Sequence, residues 1–129
     1  MKTDQNLKNL HNVISKYRSH PMFNTILDPS INSRGLDGDS MLHKAIALGD
    51  IESVKTLVDG GSNPNFIGDM GCTPLHEAVE SQNFNIVEVL LEAGARPSII
   101  SEFGQSSFDV AALQTDRSIL DLLRRYEKS

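Results

Sequence analysis

Cys72 and His76 are the first residues of this sequence that suggest catalysis. A cysteine and a histidine at this close spacing could act as nucleophile and base on one face of a helix. Cys72, however, precedes the position where a helix would begin, and no acidic partner or oxyanion-binding motif accompanies the pair. We therefore expect Cys72 to be a small turn residue, and a thiol enzyme that uses these two side chains remains an alternative.

Two other patterns resemble fragments of metal sites. His43 and His76 could each offer an imidazole, and Asp37 with Asp39 resembles part of a calcium-binding loop. The other oxygen ligands and the distal glutamate of such a loop are missing. A single cysteine rules out a Cys-rich zinc site and an internal disulfide. We therefore predict no active site, no metal and no cofactor.

Length and composition predict one small helical domain. The chain has 129 residues, of which 39% are hydrophobic and 22% charged, and these fractions are those of a globular protein. Aromatic residues make up only 5% and tryptophan is absent. A core of Leu, Ile, Val and Ala suits packed helices better than a β-sandwich.

The charge is concentrated in the middle of the chain. Residues 35–110 carry twelve acidic and three basic side chains, a net charge of −9 within a total of −5. Such a segment repels phosphate, so we expect no nucleic-acid binding and a basic protein partner. The sequence begins without an apolar leader and contains no run of the roughly 20 apolar residues that cross a membrane. With its single thiol, these features predict a cytoplasmic protein without membrane contact.

The sequence repeats itself with a fixed 33-residue period. Three residue types each occur three times at this spacing. They are glycine at Gly38, Gly71 and Gly104, alanine at Ala45, Ala78 and Ala111, and leucine at Leu57, Leu90 and Leu123. His43 and His76 share the same spacing. A fixed period of this length is typical of stacked supersecondary units.

The middle unit is the clearest one. It reads Gly71-Cys72-Thr73-Pro74-Leu75-His76-Glu77-Ala78 and ends on Leu90-Leu91-Glu92-Ala93-Gly94-Ala95. This unit resembles the ankyrin repeat, whose hallmark is G-x-T-P-L-H-x-A followed later by a Gly-Ala step. The first unit has Ser40-Met41-Leu42-His43 in place of the TPLH tetrapeptide, and the third has Ser106-Ser107-Phe108-Asp109 and no Gly-Ala step. The resemblance implies that His43 and His76 hydrogen-bond the backbone between neighbouring turns.

Each unit has the signals of two helices. Thr73 can cap the first helix while Pro74 occupies its first turn, and Ser40 and Ser106 can cap the equivalent helices. The inward face of the second helix in the middle unit is formed by Ile86, Val87, Leu90 and Leu91. Gly61 and Gly94 suit the ends of the second helices.

The predicted fold is an all-α ankyrin-repeat solenoid of about three repeats with an N-terminal helical cap. Residues 35–67 and 68–100 form two repeats, and residues 101–129 form a degenerate C-terminal repeat and cap. Residues 1–34 form a divergent pair of capping helices. The first helix of this pair has an apolar stripe of Leu7, Leu10, Val13, Ile14 and Tyr17, and the second begins at Pro21 and includes Met22, Phe23, Ile26 and Leu27. We expect His11 and His20 to lie at the surface of the cap.

The resemblance also implies where a partner binds, namely on the turn tips and the exposed side of each first helix. By register, the turn positions are Leu36, Asp37, Asp39, Asp69, Met70, Cys72, Glu102, Phe103 and Gln105. The first-helix positions are Ala47, Leu48, Glu80, Ser81, Leu113 and Gln114. The acidic members would form a strip beside apolar anchors, which favours a basic protein.

The sequence therefore predicts a non-catalytic protein-binding module that is monomeric when free. Its small size and acidity resemble those of immunity proteins and antitoxins, so we expect it to inhibit its partner by occlusion. The alternative is an adaptor or assembly subunit that uses either the outer face of the second helices, near Glu88 and Glu92, or the N-terminal cap.

Overall fold

The computed structural model describes residues 4–18 and 31–127, and every regular element in these two ranges is helical. A helix α1 spans Asp4–Arg18. Three helix pairs follow: α2 (Met41–Ala47) with α3 (Ile51–Asp59), α4 (Pro74–Glu80) with α5 (Phe84–Glu92), and α6 (Ser107–Ala112) with α7 (Ser118–Glu127). A short 3₁₀ turn, Asp69–Gly71, precedes α4. The helix predicted to begin at Pro21, together with His20, lies outside the described residues.

The three pairs stack in two rows. The first helices α2, α4 and α6 pack on one another in succession, and the second helices α3, α5 and α7 form a parallel row. Each helix also packs against the other member of its own pair. The all-α repeat solenoid predicted from the repeat period is thereby confirmed.

The core follows the same period. Leu57, Leu90 and Leu123 have no exposed surface, and neither do the alanines of the first helices. Those alanines are Ala45, Ala78 and Ala111. Because their side chains are small, the first helices can approach one another closely, and the buried leucines fill the space behind them. One continuous apolar core therefore runs through all three pairs.

The predicted helix caps are confirmed. The hydroxyls of Ser40, Thr73 and Ser106 accept hydrogen bonds from the backbone N–H three residues later, over 3.3, 3.3 and 3.2 Å. The side chain at that third position bonds back to the N–H of the capping residue, which completes a capping box. Each first helix therefore begins at a fixed residue, and this fixes the turn that precedes it.

Helix α1 packs against α3 and so extends the row of second helices. Tyr17 lies near Asp50 at the start of α3, and Leu10 packs over Gly60 at its end, so the two helices are antiparallel. Leu7 lies one turn before Leu10, beyond the end of α3, and is 52% exposed. The predicted apolar stripe of α1 is therefore wrong at its first residue.

Asp50 ties α1 to the first pair. Its carboxylate caps α3 by accepting from the N–H of Ser53 over 3.2 Å. The same side chain receives the Lys16 ammonium at 2.6 Å and the Tyr17 hydroxyl at 3.2 Å. Burial raises the pKa of Asp50, but the hydrogen bonds from Lys16 and Ser53 outweigh it and lower this pKa to about 2. Burial and the Asp50 charge raise the pKa of Tyr17 to about 12.

Two asparagines at the same register join successive units. The side-chain oxygens of Asn32 and Asn65 accept from the N–H groups of Asn63 and Arg96, each over 2.8 Å. Each amide nitrogen also donates to the carbonyl two residues before that N–H, over 3.3 and 3.1 Å. The ends of the second helices are thus held in register from one unit to the next.

Candidate functional site

The turns that precede the first helices are joined by two buried histidines. Nε2 of His43 donates to the carbonyl of Cys72 over 3.0 Å, and Nε2 of His76 donates to the carbonyl of Gln105 over 2.9 Å. On each ring, Nδ1 accepts from the N–H of the capping residue three positions earlier. The two histidines are only 2% and 4% exposed. The turn of each unit is therefore fixed to the turn of the next.

This geometry does not suit Cys72 and His76 to nucleophilic chemistry. Both ring nitrogens of His76 are already engaged, so neither is available to take a proton from the thiol. Burial raises the pKa of Cys72, and the charges of Glu80 and Glu77 raise it further. The thiol is therefore kept in its neutral, less reactive form.

Asp37 and Asp39 lie close to a basic side chain of the same unit. The Lys44 ammonium pairs directly with Asp37 and lies 3.8 Å from Asp39. Asp39 also accepts from the N–H of Asp69 over 2.8 Å. Burial opposes ionisation of Asp37, but the hydrogen bonds from Lys44 and from the N–H of Asp39 lower its pKa overall. Both carboxylates, which lie in the turn before α2, therefore already have partners within the chain.

The other acids of the face lack such a cation. Asp69, Glu80 and Glu102 are exposed, and none of them forms an ion pair with a described residue. Beside Glu80 lies Glu77, which is half-buried and was not predicted as a site residue. Burial raises the pKa of Glu77, and the charges of Glu80 and Asp39 add to this effect. Its register position, one repeat after Lys44, was the signal that could have identified it.

Large apolar side chains are exposed along the same turns and first helices. Phe103 and Leu113 are the most exposed, at 68% and 78%. Leu36, Leu48 and Met70 are at least half exposed. Two further side chains, Ile67 and Ile100, are also exposed and were not predicted; they occupy the same register position before successive turns.

These side chains form one surface, which we call the turn-and-helix face. It consists of Leu36, Asp37, Asp39, Leu48, Asp69, Met70, Cys72, Glu77, Glu80, Ser81, Glu102, Phe103, Gln105 and Leu113. Among them, Gln105 contributes its carbonyl to the His76 bond, and the Ser81 hydroxyl donates to the carbonyl of Glu77 over 2.9 Å. Ala47 is exposed on α2, whereas Gln114 is half-buried and donates to the carbonyl of Val79 over 2.6 Å.

A groove of about 350 Å³ opens on this face between the second and third units. Its walls are formed by Cys72, His76, Glu80, Ser101, Phe103, Gln105, Val110 and Leu113. Two of these residues, His76 and Gln105, are joined by the hydrogen bond between the turns. The groove therefore combines apolar side chains from the third unit with a carboxylate from the second.

A metal site and a membrane-spanning helix are two further features that a helical chain can have. Within residues 4–18 and 31–127, no three His, Cys, Asp or Glu side chains come close enough together to hold a metal ion. None of the helices in these ranges is both long enough and apolar enough to cross a membrane.

Comparison with known proteins identifies the repeat. The family model described as ankyrin repeats (3 copies) matches residues 10–101, from within α1 to the turn before α6. The match covers most of the chain and agrees with the resemblance of the middle unit. No curated protein matches this sequence.

Proposed function

The chain belongs to the ankyrin-repeat family, whose repeats form protein–protein interaction modules, and on this premise we propose that it binds a basic partner protein through the turn-and-helix face. We propose further that binding involves no catalysis and that it inhibits the partner by covering its working surface, as immunity proteins and antitoxins do. A cytoplasmic location agrees with the unpaired thiol of Cys72.

The observation that carries this proposal is the combination of exposed apolar and acidic side chains on one face. Phe103 and Leu113 are more than two-thirds exposed, and large apolar side chains left in solvent in a group are typical of interaction sites. Asp69, Glu80 and Glu102 lie beside them without an ion pair to a described residue. Apolar anchors contribute affinity, and charged neighbours speed the approach of a partner of opposite sign.

The rigidity of the face supports inhibition by occlusion. The His43 and His76 bonds fix successive turns, and the capping boxes fix the start of each first helix. A surface that is already in its bound shape loses little conformational entropy on binding. Such a module can cover a partner without an effector domain of its own.

A pull-down from lysate of the source cells, at low and moderate salt, tests the proposal. The variant D69K/E80K/E102K reverses three charges on the turn-and-helix face. The matched control E52K/D59K/E92K reverses three exposed charges on the second helices. We expect the wild type and the control to capture one basic protein that is released at higher salt, and the face variant to lose it.

Other results would assign other functions. Capture that survives the face variant would refute the electrostatic role of the face. Loss only in the second-helix variant would favour an adaptor that uses the outer face, near Glu88 and Glu92. If the captured partner keeps full activity in the purified complex, occlusion is excluded. Loss of a cellular activity after alkylation of Cys72, with binding intact, would support the alternative that the protein is a thiol enzyme.

A further inference from the structure

The groove between the second and third units differs from the rest of the turn-and-helix face in how its two sides are built. Its third-unit side carries Phe103, Val110 and Leu113. One repeat earlier, the positions of Val110 and Leu113 are occupied by Glu77 and Glu80. Of these two carboxylates, Glu80 lines the groove and so faces its apolar third-unit side, and Glu77 lies three residues before it on α4.

Neither carboxylate has a cation paired with it. Glu77 and Glu80 form no ion pair with a described residue. Lys44 occupies the register position of Glu77 in the first unit, where its ammonium pairs with Asp37 and approaches Asp39, and its charge offsets only part of the rise in the pKa of Glu77. Because Glu77 is half-buried beside Glu80, the two charges repel each other in surroundings that screen them less than open water does. A cation brought by a partner would relieve that repulsion.

The apolar side lacks a covering residue among the described residues. Phe103 and Leu113 are 68% and 78% exposed, although they border a groove in which His76 is hydrogen-bonded to Gln105. The groove, at about 350 Å³, is near the small end of ligand pockets. This volume suits one large side chain of a bound segment better than a folded surface.

We propose that the groove between α4 and α6 receives a segment of a partner protein that presents one large apolar side chain with a lysine or arginine beside it. The apolar side chain enters between Phe103 and Leu113, and the cation pairs with Glu80, beside which Glu77 adds a second negative charge. This proposal rests on the proposed function and names the chemistry that the same face would recognise. Charge complementarity selects this occupant over an acidic or purely apolar segment.

A phage-displayed library of random peptides, selected on the purified full chain, is the probe for this groove. We expect enriched peptides to combine an aromatic or large aliphatic residue with a nearby lysine or arginine. Their affinities are then measured by fluorescence anisotropy on E77Q/E80Q, on F103S/L113S and on the control E52Q/E92Q. Each groove variant should weaken binding by roughly tenfold or more, whereas the control should stay within about twofold of the wild type.

Two further readouts change the peptide or follow the protein's own thiol. Replacing the basic residue of a selected peptide by norleucine should weaken its binding to the wild type but not to E77Q/E80Q. Because Cys72 lines the groove and is the one cysteine of the sequence, a saturating peptide should also slow its alkylation by iodoacetamide. Enriched peptides without a basic residue, unchanged alkylation, or no enriched peptide at all would overturn the proposal.

The remaining outcomes separate this proposal from the proposed function. Peptides that bind E77Q/E80Q normally but fail to bind the D69K/E80K/E102K variant would refute the groove and leave the face as a whole intact. Peptides that bind both variants normally would count against both proposals. Sedimentation of the free protein covers the other occupant, since a dimer that F103S/L113S abolishes would mean that a second copy fills the groove.

Discussion

Nε2 of the His43 ring lies 3.0 Å from the carbonyl oxygen of Cys72, so a side chain in the first unit holds the backbone of the next turn. The same ring caps its own helix through Nδ1. One buried imidazole therefore joins three parts of the chain: the end of one turn, the start of α2 and the turn before α4. Because the ring is shared among them, its loss should be felt in all three.

Replacing His43 by alanine should lower the free energy of unfolding by about 2–3 kcal/mol, because the substitution leaves a buried cavity and removes hydrogen-bond partners from the Ser40 N–H and the Cys72 carbonyl. Urea denaturation followed by circular dichroism measures the loss. His11→Ala, at an exposed position of α1, is the control and should change stability by less than about 0.5 kcal/mol. Equal losses in the two variants would contradict the bridging role of His43.

The stability of the protein should fall as the pH drops below about 6.5, the ordinary pKa of histidine, partly through His43. Burial lowers the pKa of His43, and this effect outweighs the opposing Cys72 hydrogen bond and the charges of Asp39 and Asp37. A histidine whose pKa is lower in the folded state stabilises the fold fully above its ordinary pKa. That contribution is lost as the pH falls and the unfolded chain takes up the proton.

Thermal unfolding across this pH range compares the wild type with His43→Gln and with the control His11→Gln. The slope of the melting temperature against pH should be shallower in His43→Gln alone, whatever its absolute stability. A slope that is the same in all three proteins would show that His43 does not titrate differently on folding.

Gly71→Ala should be more destabilising than Gly104→Ala, although the two glycines occupy the same register position. Both have a positive φ, +72° and +76°, which disfavours alanine by about 1 kcal/mol. A Cβ on Gly71 would lie 2.9 Å from the backbone nitrogen of Glu102, whereas a Cβ on Gly104 would meet no heavy atom within 4 Å. We expect a further loss of about 1–3 kcal/mol at Gly71, measured by urea denaturation. Losses of equal size would mean that the turns of neighbouring units are not in contact there.

Asp50→Asn should lower the pKa of Tyr17 from about 12 while leaving it above that of free tyrosine. The substitution removes the charge that opposes formation of tyrosinate, but burial of the ring remains. The titration is followed by tyrosinate absorbance in a Tyr126→Phe background, so that only Tyr17 contributes. Asp59→Asn, at the exposed end of α3, should leave the titration unchanged. An unchanged titration in Asp50→Asn would show that the Asp50 charge does not act on Tyr17 of α1.

The repeat architecture could be predicted because it depends on local signals. Thr73 before Pro74 is a local signal for the start of a helix, and the regular spacing of the buried leucines indicates stacked units. The bonds from His43 and His76 to neighbouring turns were implied by the family resemblance and are confirmed, whereas the ion pair of Lys44 was not predicted. Lys44 reaches back to Asp37, in the turn before its own helix, and thereby engages an acid that looked free in the sequence.

The backbone conformation of the turn before α4 was also not predictable from the sequence. Met70 adopts a positive φ of 57° immediately before Gly71, and its carbonyl accepts from the Glu102 N–H over 2.9 Å. Nothing about a methionine predicts this left-handed conformation, which is rare outside glycine and asparagine. Likewise, the position of α1 beside α3 depends on Asp50, whose two roles in capping and anchoring become visible only in three dimensions.

The side-chain bonds between units have a consequence for how the chain acquires its structure. The side-chain hydrogen bonds between units described above join residues 29 to 35 positions apart, from the bond of His43 to Cys72 up to that of Gln114 to Val79. Each loop that these bonds close during folding is therefore about one repeat long, and its entropic cost does not grow with the length of the stack. Folding can begin at any pair of adjacent units and extend outward, which favours a fast, low-contact-order route in which the middle unit joins whichever neighbour it meets first.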